Sequence, residues 1–367
     1  RHMKTPAPLI TLALAAGVFV GNAQAQALPA DWSLNPTLSA NYDWLRVQED
    51  ARPLPDERDF RRARIGITLK GGERWQLRGE HDVEERTAPE LSFQWFLGGG
   101  RHLRFGQFKH PFLLDDVINE RQTPLMEQSL ATAYAVSRRL GVAYGQSNER
   151  HSFDISLFDK RLDGRFEGTG LATRYTRVLR RTSEGVFHLG GSLAIDSPRN
   201  DSTRWSTRPE SGIASRSLVD TGTFAGVDQN QRLAAEALWL HGPWSAQAEH
   251  AIGRSTRSGA ADFSSNASYA LLSWSPTGHA RSYKSGVVGS PKAGEGEMPW
   301  ELFLRFSRID LDDAPVLGGT QRDWTVGATW YVHPNVRLLA NYTAVSSDRR
   351  GLADDPNLFQ FRIQLSY

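Results

Sequence analysis

The chain has 367 residues, no cysteine and a formal net charge of +2 at pH 7. The lack of cysteine excludes a small domain held together by disulfides. The near balance of charge does not indicate a nucleic-acid-binding protein, although Arg is heavily preferred, with 37 Arg and 6 Lys.

The first segment has the order of a secretory signal. Arg1 and His2, which we interpret as a cloning remnant, precede Met3-Lys4, an apolar run over 9–20 and the sequence Ala-Gln-Ala at 23–25. Charged, apolar and small residues in this order predict export with cleavage after Ala25. The apolar run is too short to cross a bilayer as a helix. We expect 1–25 to be a signal peptide and 26–367 to form one domain.

Segments of about ten residues with alternating apolar and polar side chains follow along the rest of the chain. Such alternation predicts strands with one apolar and one wet face. We predict sixteen strands, at 38–47, 60–70, 73–84, 91–97, 101–108, 138–146, 151–160, 170–180, 184–196, 231–240, 244–253, 263–275, 299–310, 322–332, 335–345 and 358–367.

The connections between these segments alternate in length. Short turns rich in Gly, Pro and Ser are predicted at 71–72, 98–100, 147–150, 181–183, 241–243 and 333–334. The longest loops, 109–137 and 197–230, lie between them, which is the layout of an outer-membrane barrel. The connection 276–298 is an exception, because it is long on the short-turn side. Either the strand count is wrong there or that turn is elaborated.

The two faces of the predicted strands differ in chemistry. Ile65 and Ile67, for example, share one parity, whereas Arg62 and Arg64 share the other. A soluble sandwich or barrel would put the apolar face inside, but sixteen strands enclose a lumen too wide for side chains to fill. We therefore predict an all-β fold, a 16-stranded antiparallel transmembrane β-barrel with lipid outside. The last strand, ending at Tyr367, would pair with the first, because an open edge in lipid leaves backbone groups unsatisfied.

Several stretches, in order along the chain, resemble the phosphate-selective porin O and P family. They are FRRARIGITLKG (60–71), FGQFKHPF (105–112), PLMEQSLATAYAVSRRLGVAYG (124–145), TRPESGIASRSLVDTG (207–222), GPWSAQAEH (242–250), PWELFLRFSRIDLDD (299–313) and DWTVGATWYVHPNVRLLANYTAV (323–345).

This resemblance implies a homotrimeric porin in the outer membrane of a Gram-negative bacterium. It also implies that loop 109–137 folds into the lumen as a constriction loop. In the family, arginines of the second strand and of the Arg-Pro-Glu loop line the anion path, and the matching positions here are Arg61, Arg62, Arg64 and Arg208. The family members selective for phosphate rely partly on clustered lysines, whereas the lysines here are scattered. The resemblance therefore supports a prediction of phosphate selectivity less strongly than it supports a prediction of the fold.

The wet parity supplies further candidates for an anion path. A guanidinium group is always charged and presents paired donors to phosphate or carboxylate oxygens. Besides Arg62 and Arg64, the candidates are Lys70, Arg74, Arg78, Arg104, Arg139, Arg174, Arg305, Arg337 and Arg362, and the loop 197–230 adds Arg204, Arg208 and Arg216. The alternative for any one of them is that it pairs with a neighbouring carboxylate and only keeps the lumen hydrated.

The constriction loop carries charge of both signs, at Asp115, Asp116, Glu120, Arg121 and Glu127. Acidic groups facing an arginine wall would create a transverse field that orients polar solutes. For Glu127 we favour an anchoring role, and we expect Leu125, Met126 and Leu130 to pack against the wall.

We predict an anion-preferring porin for small hydrophilic solutes such as phosphate or polyphosphate. A weakly selective general porin is one alternative, and a barrel hydrolase is an alternative from another class. We expect no enzyme, since no Ser and His spacing singles out a nucleophile and base. We also expect no metal and no cofactor, since the His residues lack metal-ligand spacing. The expected partners are small anions, outer-membrane lipid and two further copies of the chain, without nucleic acid.

Overall fold

The fold was analysed in a computed structural model that describes residues 29–165 and 167–367. The predicted signal peptide, 1–25, lies outside the described residues. No helix in the described part of the chain is long and apolar enough to cross a membrane.

Sixteen long strands form one closed antiparallel barrel in which chain neighbours are sheet neighbours. They are β1 (Trp32–Gln48), β2 (Glu57–Gly71), β3 (Trp75–Asp82), β4 (Thr87–Gly98), β5 (Arg101–Lys109), β6 (Arg138–Ser147), β7 (His151–Phe158), β8 (Gly168–Arg181), β9 (Gly185–Pro198), β10 (Val227–His241), β11 (Trp244–Arg257), β12 (Phe263–Trp274), β13 (Trp300–Asp313), β14 (Val316–His333), β15 (Val336–Arg349) and β16 (Asn357–Ser366). The predicted strand count and fold class are confirmed.

The seam joins β16 to β1. The pairing runs from Ser39 opposite Ser366 to Gln48 opposite Asn357. Beyond it, Leu38 and Tyr367 exchange backbone N–H to carbonyl hydrogen bonds of 2.9 and 2.8 Å. The last predicted strand therefore closes the cylinder, as its alternation indicated.

The alternation sorts side chains as predicted. Ile65 and Ile67 on the outer face are 48% and 46% exposed, whereas Arg64, at an inward position of the same strand, is buried. Aromatic rings cluster where strands end at the short-turn side, such as the stacked Trp300 and Trp330, whose ring centroids lie 5.0 Å apart. An apolar outer surface bordered by aromatic residues suits a lipid environment.

Several strands extend beyond their predicted bounds at the long-loop end. β14 begins at Val316 instead of 322, and β13 continues to Asp313 instead of 310. An outward position there is polar, since Asp312 is exposed, so the apolar alternation ends before the backbone pairing does. In the opposite direction, β3 is shorter than the predicted 73–84.

The inserted segments contain little regular structure. The loop between β5 and β6 has a short helix, α1 (Leu114–Val117), and a 3-10 turn, Leu130–Tyr134. The loop between β9 and β10 has a 3-10 turn and two small strand pairs, Ser202–Thr203 with Phe224–Ala225 and Ser206–Thr207 with Val219–Asp220. Between β12 and β13, Arg281–Lys284 pairs with Val287–Pro291 as a hairpin. The two-residue strand Leu352–Ala353 extends β15. The long 276–298 connection is thus an elaborated turn, and the strand count is correct.

Candidate functional site: the constricted lumen

The constriction loop, here residues 110–137, lies inside the barrel and packs against an apolar part of the inner wall. Leu125, Leu130 and Tyr134 are at most 1% exposed. The wall beneath the loop is built from small residues, since Ala234, Ala251 and Ala267 lie in register on β10, β11 and β12 and join the same cluster. A side chain at Gly253 would bring its Cβ within 2.6 Å of the Tyr134 ring. Small inward residues therefore leave the space into which the loop folds. The predicted packing of Leu125 and Leu130 against the wall is confirmed, and Met126 is buried as well.

Arginines from the opposite wall bind the backbone of this loop. Arg305 donates from Nη1 to the Glu127 carbonyl at 2.9 Å, and Arg337 donates from Nη1 to the Thr123 carbonyl at 3.0 Å. Arg362 donates to the Met126 carbonyl. Carbonyls of an irregular segment need such donors when water is excluded. Arg305, which we predicted to contact anions, is 1% exposed and also binds Glu210. In this structure Arg305 holds the loop.

Glu127 anchors the loop through its side chain as well. Its Oε1 accepts hydrogen bonds from Arg362 Nη2 at 2.7 Å and from Arg61 Nε at 3.2 Å. Burial acts to raise the pKa of this carboxyl, but the charges of Arg61 and Arg362 outweigh it and lower the pKa to about 2. The contacts agree with the anchoring role that we favoured for Glu127.

The two aspartates of the loop have a different place from the one we expected. Asp115 and Asp116 are buried within the loop's own fold and do not face an arginine wall. Asp115 Oδ2 accepts from the Ser129 N–H at 2.7 Å, and Asp116 Oδ1 lies 3.7 Å from Lys109 Nζ. Besides Glu127, the acidic group of the loop that faces arginines is Glu120, which contacts Arg62 and lies 2.7 Å from Arg64 Nη1.

A β-bulge explains how consecutive arginines reach the lumen. Asn41 pairs with Arg62, but the next residue, Tyr42, pairs with Phe60, so Arg61 is the extra residue on β2. A bulge of this kind lets a strand place two adjacent side chains on one side. Arg61, Arg62 and Arg64 are therefore all available to the loop.

Cationic side chains of β2, β3, β5, β6 and the constriction loop form one group, which we call the basic sector. Its members are Arg62, Arg64, Arg78, Arg104, Lys109, Arg121 and Arg138. Their carboxylate contacts are Glu120 with Arg62 and Arg64, Asp82 with Arg64, Glu80 with Arg78 and Arg121, Glu90 with Arg104, and Asp116 with Lys109. Seven cations and five carboxylates leave a local charge of +2.

Arg138 is the member of the basic sector without an acidic partner among residues 29–165 and 167–367. Its Nε is buried and has no hydrogen-bond partner there. It interacts electrostatically with Arg64, Lys109 and Arg121, and it lies opposite Lys109 in the β5–β6 register. Sequence reasoning selected the neighbouring Arg139, which is instead bound to Glu167. The signal available in the sequence was the pair of consecutive arginines at 138 and 139. The left-handed backbone at Ser137 (φ 58°) interrupts the alternation of inward and outward residues just before this pair.

Arg74 and Arg208, which were also predicted to line the anion path, lie outside the basic sector as well. Arg74 is exposed in the turn between β2 and β3. Arg208 is exposed in the loop between β9 and β10 and donates from Nη1 to the Gly212 carbonyl at 2.9 Å. That loop does enter the lumen, because its Glu210 is buried against Arg305 and accepts from Thr325 Oγ1 at 2.9 Å.

The hairpin between β12 and β13 enters the lumen from the opposite end. Arg174 on β8 donates from Nη2 to the Gly286 carbonyl at 2.8 Å, and His188 Nδ1 lies 2.9 Å from the Tyr283 hydroxyl. Val288 packs beside α1 in a buried cluster with Leu114 and Ile118. The hairpin therefore fills part of the lumen on the far side of the constriction loop.

The described residues contain no group of three or more His, Cys, Asp or Glu that could hold a metal ion. What the arrangement offers instead is a lumen narrowed by inserted loops and lined by fixed charges. Such a passage acts on solutes through its size and electric field.

Comparisons with known proteins agree with this geometry. The sequence profile of the family described as "Phosphate-selective porin O and P" matches residues 37–367. Porin O of Pseudomonas aeruginosa is 28% identical over 213 residues, which cover 49% of each chain. An uncharacterized protein of Caulobacter vibrioides is 26% identical over 286 residues, covering 71% of this chain and 54% of the other. The chain thus spans about half the length of the curated relatives it matches.

Solved structures are similar in fold. OmpT of Vibrio cholerae, folded in vitro, aligns with a TM-score of 0.59 at 10% identity over 94% of this chain and 100% of that one. Its trimer form aligns with a TM-score of 0.58 at 10% identity, over 92% and 99%. The anion-selective porin from Comamonas acidovorans aligns with a TM-score of 0.56 at 11% identity, over 92% and 100%.

Proposed function

We propose that this chain, which belongs to the phosphate-selective porin O and P family, is an outer-membrane channel through which small anions diffuse passively. The observation that carries the proposal is the basic sector, whose cations outnumber their carboxylate partners. Arg138, the member without an acidic partner in the described ranges, supplies part of this excess.

Fixed positive charge in a narrow passage concentrates anions and repels cations. The low dielectric of the wall and of the inserted loops strengthens this effect relative to bulk water. Several guanidinium groups spaced along the basic sector let an anion exchange partners in steps, so that it is not held too tightly at any one of them.

Phosphate is the solute that we propose within this class. Guanidinium groups present planar pairs of donors that match two phosphate oxygens. Porin O of Pseudomonas aeruginosa is among the similar proteins. The absence of a lysine cluster in the sequence argues for a weaker preference, in which chloride also passes.

The assembly and the export route are further parts of the proposal. The trimer form of a structurally similar barrel supports a homotrimer. The order of residues in 1–25 supports a signal peptide that is cleaved during export to the outer membrane of a Gram-negative bacterium.

A weakly selective general porin is the second candidate, and one observation favours it. Most members of the basic sector contact carboxylates at salt-bridge distance, as Arg78 does with Glu80 at 2.9 Å. Paired charges contribute less to the field than isolated ones.

The experiment that separates these candidates is a bilayer recording of the refolded barrel. The reversal potential in a potassium chloride gradient gives the ratio of anion to cation permeability, and phosphate is then titrated into both chambers. Anion selectivity with block by phosphate supports the phosphate channel, and anion selectivity without block supports a chloride-passing anion porin. A reversal potential near zero would overturn the anion proposal and leave the general porin.

A further inference from the structure

Polar and charged side chains cross the outer surface of the barrel near its long-loop end, on strands β11 to β15. They lie in one register row, in which His250 pairs with Ser268, Ser268 with Arg308, Arg308 with Arg322, and Arg322 with Ser346. The row faces outward, since Arg322 alternates with the fully buried Asp323. On the same strands the next outward row toward the membrane centre is apolar, so the row lies where the apolar outer surface ends.

The arginines of the row are poorly neutralised. Arg308 and Arg322 lie directly opposite each other, and like charges in that position are destabilising. Arg308 contacts Asp310 at 3.1 Å, but its Nε is buried without a partner. Arg322 is exposed and makes no ion pair with any residue that the structure describes. The two guanidinium groups therefore have one carboxylate between them, and one positive charge is left without an anionic partner in the described residues.

The depth of the row fits the headgroup level of the outer leaflet. Trp330 lies in the aromatic border at the short-turn end, and Arg322 is eight residues away on the same strand, β14. At about 3.4 Å per residue and a tilt of about 40°, the two are about 20 Å apart along the barrel axis. The apolar band of such barrels is about 25 Å tall, so Arg308 and Arg322 lie at its outer edge.

An apolar groove of about 390 Å³ lies directly below the row. Its upper boundary is the next register row toward the membrane centre, in which Ala248 pairs with Ala270, Ala270 with Phe306, and Phe306 with Trp324. Alanines on adjacent strands form its floor, and Phe306 and Trp324 form its wall. The groove continues from the arginine row toward the membrane centre without a polar interruption.

We propose that this surface binds a phosphorylated acyl lipid of the outer leaflet, with a phosphate on Arg308 and Arg322 and an acyl chain in the groove. Guanidinium groups bind phosphate oxygens through paired, charge-assisted hydrogen bonds. The phosphate supplies the negative charge that the arginine pair lacks, and the acyl chain covers the apolar floor. This site is on the outside of the barrel and does not depend on the solute that passes through the lumen.

The test uses the folded full chain in detergent and native mass spectrometry, with diphosphoryl lipid A as the probe. A phosphate-free analogue with the same acyl chains is the ligand control. We expect wild type to retain the diphosphoryl lipid and Arg322→Gln to weaken its binding by about tenfold or more, as loss of a charge-assisted hydrogen bond does. Arg308→Gln should act in the same direction, and Ala270→Leu, which fills the groove, should also weaken binding.

Arg177→Gln is the matched protein control. Arg177 is also exposed on the outer face, but it lies toward the short-turn end of β8. Its substitution should leave binding unchanged. Heat-modifiable migration on a gel verifies that each variant is folded before binding is measured. Equal retention by wild type and Arg322→Gln would overturn the proposal, as would an equal loss in Arg177→Gln or equal binding of the phosphate-free analogue.

Discussion

Arg362 and Asp43 face each other across the seam of the barrel and share two hydrogen bonds, Nε to Oδ1 and Nη2 to Oδ2, both 2.6 Å long. The two residues are paired in the register that joins β16 to β1. Both are about 1% exposed. The seam is thus held by a buried ion pair in addition to its backbone ladder, and Glu127 ties the constriction loop to the same arginine.

Removing one partner of this pair should destabilise the barrel strongly. Arg362→Ala leaves the Asp43 carboxylate buried without its counter-charge, and such changes cost about 3–5 kcal/mol. Urea unfolding in detergent measures the free energy of unfolding. The double variant Arg362→Ala/Asp43→Ala should cost less than the two single variants summed, since neither charge is then left alone. Arg204→Ala, which breaks the more exposed pair with Asp220, is the control. A cost for Arg362→Ala no larger than that of the control would contradict the importance of the seam pair.

Glu127 predicts a pH dependence of the constriction loop. Its folded-state pKa is lowered to about 2 from an ordinary value of about 4.5, so the unfolded state binds the proton more readily. The stabilisation is therefore complete above about pH 4.5 and is lost as the pH falls toward about 2. Glu127→Gln should lack it at every pH. Hydrogen exchange of residues 120–127 should be faster in Glu127→Gln than in wild type at pH 6, with the difference vanishing near pH 2. A difference that persists at the lowest pH would show that the loop is held by other contacts.

Arg138 should contribute to anion selectivity more than a comparable arginine elsewhere. One charge at about 8 Å contributes about 0.5 kcal/mol even at the dielectric constant of water, which is about a factor of two in local ion concentration. We expect Arg138→Gln to lower the ratio of anion to cation permeability by about this factor. Arg74→Gln removes the same charge from an exposed turn and should have little effect. If the two variants shift the reversal potential equally, selectivity depends on net charge and not on the basic sector.

The hairpin between β12 and β13 should limit conductance. The backbone N–H of Lys292 donates to the Ala280 carbonyl at 3.0 Å, so the two ends of the hairpin lie close together. Gly-Gly can therefore replace residues 281–291 and join these ends. The lumen is then less filled, and single-channel conductance should rise. Removal of residues 294–296, which are exposed, is the control and should leave conductance unchanged. An unchanged conductance in the hairpin deletion would mean that the passage is limited only at the constriction loop.

Much of the fold could be predicted because lipid and water impose a period of two on every strand. The predicted strands ended early where outward residues turn polar, as at Asp312, because pairing of the backbone does not require an apolar side chain. Parity also showed which face Arg64 and Arg305 occupy. It could not show that Glu210, from another loop, would bury Arg305, since such a partner depends on how the loop folds.

The site was harder to predict because its irregular backbone does not follow the strand period. The bulge at Arg61 and the left-handed backbone at Ser137 each disturb the alternation of neighbouring arginines. In both places the sequence shows a doublet of arginines, which indicates that cations are needed but not which one lacks a carboxylate. Arg138 could be distinguished from Arg139 only once Glu167 was seen to bind the latter.

The inserted segments come from both ends of the barrel and touch each other. Arg281 of the hairpin donates to the Gln122 carbonyl of the constriction loop, and Ser290 Oγ lies 3.4 Å from the Arg121 carbonyl. The constriction loop, which enters from the long-loop end, is therefore also held by a segment that enters from the short-turn end. A displacement of the hairpin would reach the constriction loop directly, through the contacts of Arg281 and Ser290. The two mouths of the barrel are thus coupled inside the lumen, because a segment inserted from one mouth contacts a segment inserted from the other.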